Sequence, residues 1–108
     1  MAANTAGAIL GATRELLIAL QEANGFGVED VISAFFTATP DLNAAFPAAA
    51  ARDLGWERTP LLDAREMDVP GALAGCVRVL LHVYTRARPD EVRHVYMGEA
   101  ARLRPDLR

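Results

Sequence analysis

No lysine occurs in this chain: all 11 basic side chains are arginine. A coding bias toward arginine and alanine accounts for the missing lysines, but not for where the arginines sit. One cysteine, Cys76, excludes an internal disulfide and fits a reducing cytoplasm. No apolar run approaches the ~18 residues a membrane span needs. The opening "MAANTAGAIL" has no charged segment ahead of an apolar core, so no signal peptide is expected. Cationic excess is lacking too. A net charge of −3 argues against nucleic acid as the main partner, because phosphate binding needs a cationic face. The two histidines, His82 and His94, and the lone cysteine have no zinc-ligand spacing. There is no nucleophile elbow, phosphate loop or dinucleotide fingerprint, and "GFG" at 25–27 reads as a helix stop.

What is present suits one small domain, 1–108, of ordinary globular composition: 52% hydrophobic and 23% charged. A chain this short buries a modest core alone, so oligomerisation would help it. Residues 5–24 carry Ile9, Leu10, Thr13, Leu16, Leu17 and Leu20 at three- and four-residue spacing, which predicts an amphipathic helix. Asn4 or Thr5 can cap its start and Gly25 can end it. "VISAFFTA", 31–38, reads as a buried strand. Pro47 opens a short helix that Gly55 closes. "RTPLLDA", 58–64, is a second strand. In "CVRVLLHVYT", 76–85, Val77, Val79, Leu81 and Val83 alternate with Cys76, Arg78, Leu80, His82 and Tyr84, so the first set is expected to face a core. After the turn "RARPDE", "VRHVYM" at 92–97 is expected to form a final strand.

This order predicts an α/β domain with a mixed sheet packed on helices. A neighbouring subunit is the expected cover for the other sheet face. Cys76 reads as a packed small hydrophobe. Chemistry is left to Arg52, Glu66, Arg78, Arg93, Tyr96 and Arg104. An arginine's planar donor fork can grip a carboxylate.

Four stretches together, "TATPDLNAAFPAAAAR", "LLDAREMDVPGAL", "CVRVLLHV" and "VRHVYMGEAARLRPDL", resemble the AroH-class chorismate mutases over residues 5–107. The resemblance implies a RidA-like fold assembled as a trimeric pseudo-barrel, with active sites between subunits. It also implies rearrangement of chorismate to prephenate on the way to phenylalanine and tyrosine. That reaction is a Claisen shift that needs no metal and no cofactor. It needs a dianion held in a folded chair and donors aimed at the ether oxygen, where charge develops. By position, Arg78 matches the arginine that reaches the ether oxygen, and Glu66 the glutamate that accepts from the ring hydroxyl. Tyr96 matches a tyrosine beside a substrate carboxylate, and Phe46 a phenylalanine packed on the ring. Arg52 matches an arginine at the entrance. Ala48, Leu62 and Asp63 match substrate-lining positions, and Leu103 and Arg104 the C-terminal segment that closes over the site. Arg93 and Arg102 are expected to serve as ion-pair partners.

Three departures stand out. Family members begin with a strand "RGIRGAT" whose second arginine grips a substrate carboxylate. Here "MAAN" precedes the matching helix, as expected of a misplaced start or a shortened member, and mid-helix Arg14 is no substitute. Asp63 stands where cysteine or serine is usual, so it is expected to point away from the substrate or to pair with Arg65. Ala49 replaces a frequent lysine. Two other readings stand beside catalysis: a weak or inactive relative that binds a small carboxylate ligand at subunit clefts, and a purely structural oligomerisation module.

Overall fold

Residues 3–97 are described by a computed structural model of the chain. Helix α1 (Ala6–Asn24) begins where Thr5 accepts a hydrogen bond from the Ala8 amide, and ends where Gly25 takes a left-handed φ of 66°. Glycine carries no Cβ penalty in that conformation, and its N–H closes on Gln21 O. Of the predicted stripe, Ile9, Thr13 and Leu17 are buried. Thr13 is accommodated because its hydroxyl donates to Ile9 O at 2.7 Å.

Strand β1 (Val31–Ala38) follows, then helix α2 (Ala48–Asp53), strand β2 (Leu61–Arg65) and strand β3 (Val77–Val83). The strand order is β2-β1-β3, with β1 parallel to β2 and antiparallel to β3. The mixed sheet is therefore observed. Both helices pack on one of its faces. Leu17, Val31, Ala34, Phe36, Ala48, Ala51 and Trp56 form the main core, with Val79, Leu81 and Val83 against it. The predicted division of β3 holds within the strand: valine and leucine inward, Arg78, Leu80 and His82 outward.

Three expectations need correction. Strand β1 is not buried throughout: Ile32 and Phe35 are exposed, because among the described residues only one face of the sheet carries helices. Cys76 does not share the arginine's exposure. It precedes β3 and is buried, with its N–H donating to the Thr39 hydroxyl at 3.0 Å. No strand forms at 92–97. There, the side chain of Asn24 accepts from the Arg93 amide at 2.8 Å and donates to Arg93 O at 2.9 Å, taking backbone groups that a ladder would have used. Arg93 makes no ion pair among the described residues; its backbone, not its guanidinium, is what Asn24 engages. Arg102 lies outside the described residues.

The loop between β1 and α2 is tied at both ends. Asn4 accepts from the amides of Asn43 and Ala44, and Asp41 accepts from the Gly75 amide. The Thr39 hydroxyl first, then that amide, hold the Asp41 carboxyl below its ordinary range. Among the described residues, no helix is long and apolar enough to cross a membrane.

Candidate active site

Alternation puts Thr37 on the outward face of β1 and Arg78 on the outward face of β3, and the antiparallel register sets them opposite each other. The β2 ladder continues one residue past the strand, where the Glu66 amide donates to Ala38 O at 2.9 Å. That bond brings the Glu66 carboxylate over the same face. Arg78 Nε lies 3.1 Å from Glu66 Oε2. Thr37 Oγ1 donates to the same oxygen at 2.6 Å. The Arg78 side chain is 54% exposed and that of Glu66 16%. The result is a cation with an open flank, fixed on a sheet, beside a half-sheltered carboxylate. Below this group runs an apolar row across the three strands: Leu62, Phe35 and Leu80, paired in register and all exposed. His82 follows, its ring edge-on to Phe35 at 5.9 Å and its Nδ1 3.2 Å from the Ser33 hydroxyl.

Just before β3, burial pushes the Cys76 thiol up, against the pull of the Arg78 charge. A shielded thiol that resists ionisation is a poor nucleophile. It fits the packed role expected of it.

A second group lies elsewhere. Phe46, 70% exposed, and Pro47 border an open cavity of about 560 Å³ that Leu42, Asp63 and Arg65 also line. Asp63 is turned toward α2, where its Oδ1 accepts the Ala48 amide at 3.0 Å. It makes no ion pair with Arg65 among the described residues. This hydrogen bond satisfies one of the orphan amides that every helix start carries, from a strand rather than from the preceding residue. Replacing Asp63 with alanine is therefore expected to cost about 1 kcal/mol. That is a drop of roughly 4–8 °C in thermal midpoint for a domain of this size. An unchanged midpoint would show the contact to be idle. Ala48 is buried in the main core, and Arg52 is exposed on α2.

The sequence-derived candidates thus divide. Glu66, Arg78 and Leu62 share the outward sheet face. Phe46, Ala48, Arg52 and Asp63 belong to α2, the loop before it and the inward side of β2. Leu62 and Asp63, adjacent in sequence, point to opposite sides because a strand alternates. Tyr96 is half-buried and has no side-chain hydrogen bond among the described residues. Leu103 and Arg104 lie outside the described residues. Thr37 was missed by sequence reasoning. Its signal was one of two hydroxyls, with Ser33, in a largely apolar strand, and its part was legible only once the register placed it against Arg78.

Comparisons with known proteins agree with one another. The family model described as "Chorismate mutase type I" matches residues 1–107. The chain is 53% identical over 105 residues to "Chorismate mutase AroH" of Thermus thermophilus, covering 96% of this chain and 86% of that one. It is 46% identical over 100 residues to "Chorismate mutase AroH" of Bacillus subtilis, covering 92% and 79%. Among solved structures, a chorismate mutase from Clostridium thermocellum superposes with a TM-score of 0.88 at 47% identity, over 90% of this chain and 87% of that one.

Proposed function

The chain belongs to the type I chorismate mutase family, and from that premise we propose that its outward Glu66–Arg78 pair is the centre at which chorismate becomes prephenate. The activity is that of an isomerase in aromatic amino-acid biosynthesis. The observation that carries the assignment is Arg78 on rigid β3, half exposed and held beside Glu66. In the rearrangement the ether C–O bond breaks as the new C–C bond forms, and negative charge builds on the ether oxygen. A guanidinium already in place stabilises that charge without reorganising at the moment of reaction. Glu66 accepts from the ring hydroxyl and fixes the ring. The reacting atoms need no proton transfer from the protein, so the work left is to hold the folded chair. Identities of 46% and 53% to proteins named as chorismate mutases weigh against the ligand-binding and purely structural readings.

The reading extends to a trimer with three clefts. Phe46 and Arg52 lie apart from Arg78 within one chain, so a closed cleft calls for residues from a neighbour. The exposed row Leu62–Phe35–Leu80 is a self-consistent place for a neighbour to pack. In that arrangement Phe46 packs on the ring, Arg52 stands at the entrance, and Tyr96, Leu103 and Arg104 close near a carboxylate. The chain works in the cytoplasm.

The test pairs two measurements: loss of chorismate absorbance in the ultraviolet, and sedimentation mass at the same protein concentrations. Turnover that grows with the trimer fraction is expected. Absence of turnover would refute the assignment, and full turnover by single chains would refute the shared cleft.

A further inference from the structure

The ion pair between Arg78 and Glu66 is close in distance, at 3.1 Å through Nε. Yet the one side-chain hydrogen bond to Glu66 among the described residues comes from Thr37, at 2.6 Å. Arg78 Nε and the Thr37 hydroxyl meet on the same oxygen, Oε2. Glu66 Oε1 has no hydrogen-bond partner among the described residues. An arginine and a carboxylate left to themselves favour a two-pronged pair, with both carboxylate oxygens on two N–H groups. Such a pair would take up both groups that the reaction needs.

We propose that Thr37 is a positioning residue: its hydroxyl holds Glu66 Oε2 so that the carboxylate does not close as a fork on Arg78. Oε1 is left for the substrate's ring hydroxyl, and the guanidinium is left for the ether oxygen. Three observations point the same way. Thr37 sits directly opposite Arg78 in the register, so the strand pairing fixes their spacing. Glu66 is anchored by its own amide on Ala38 O, next to Thr37, so its side chain cannot drift far. And the other hydroxyl on this face of β1, that of Ser33, lies 3.2 Å from His82 Nδ1, so Thr37 is the one that meets Glu66. The proposal rests on Glu66 and Arg78 being the reacting centre.

The experiment compares Thr37→Val with Thr37→Ser, each in the full chain and again in a Glu66→Ala background. Valine keeps the shape and strand preference of threonine and removes only the donor. Thr37→Val is expected to lower kcat by roughly 10- to 100-fold, with KM changing less, since misplaced reacting groups cost that much. Thr37→Ser is expected to restore most of the rate. In the Glu66→Ala background the valine substitution should add nothing, the mark of two residues acting as one unit. If Glu66→Ala is crippled while Thr37→Val is as active as the parent, the positioning role is wrong. The same holds if valine and serine are equally impaired. If Glu66→Ala itself turns over normally, the centre has been misassigned and the role of Thr37 falls with it.

Discussion

Arg78→Ala is expected to lower kcat/KM by roughly a hundred- to a thousand-fold, the usual cost of removing one donor aimed at developing charge. The loss should fall mainly on kcat. The ether oxygen bears little charge in bound chorismate and much more in the transition state, so the guanidinium binds the latter more tightly. Folding should be nearly untouched. The side chain is 54% exposed, and a solvated pair of this kind contributes about 1 kcal/mol or less to stability. Arg78→Lys should recover little, because an ammonium on a flexible stem does not reproduce a planar fork already seated beside Glu66. Progress curves of chorismate absorbance for the three proteins decide the matter. Equal rates for parent and alanine variant would remove Arg78 from the chemistry.

Trp56→Ala should be the most damaging substitution for stability. Trp56 is 0% exposed and is the largest fully buried side chain among the described residues, packed with Leu17, Phe36 and Ala51 where the two helices meet the sheet. Emptying that space should cost roughly 3–5 kcal/mol. At fixed chain concentration this lowers the thermal midpoint by roughly 10 °C or more. Trp56→Phe makes the comparison informative. The indole Nε1 is buried without a hydrogen-bond partner among the described residues, and an unpaired buried donor is itself a penalty. Phenylalanine removes that donor while filling most of the space, so its cost should fall well below that of alanine. A Trp56→Ala protein that melts with the parent would mean that this residue is not the centre of the core.

The sequence made some of this legible because local rules governed it. The period of Ile9, Thr13 and Leu17 belongs to a helix, and the alternation around Arg78 belongs to a strand with one wet face. Both survive folding because nothing distant competes with them. "VRHVYM" has an equally good strand composition, yet Asn24 takes the Arg93 backbone groups. A partner 69 residues away in sequence cannot be read from the segment itself. Thr37 fails for a related reason. Its role depends on the register between β1 and β3 and on where the chain turns after β2, which are properties of the sheet. Asp63 looked out of place beside a dianionic substrate. Its hydrogen bond to the Ala48 amide shows a carboxylate put to use at a helix start. The two clusters of candidates could not be separated by eye, because residues 62 and 63 are neighbours in sequence and strangers in space.

The junction at Asn24–Gly25 carries a consequence for chemical ageing. Asparagine followed by glycine is prone to lose ammonia when the glycine nitrogen attacks the side-chain amide. Here that nitrogen is held by Gln21 O at 2.8 Å, and the amide is engaged with Leu20 O and the Arg93 backbone. The folded chain therefore shelters its own most labile dipeptide. Once the junction opened and the amide became a carboxylate, the donor to both carbonyls would be gone and a negative charge would stand at the negative end of α1. Decay at this one site would remove one of the two hydrogen bonds that tie α1 to the segment leading to Tyr96, and so loosen that segment from the helix stop.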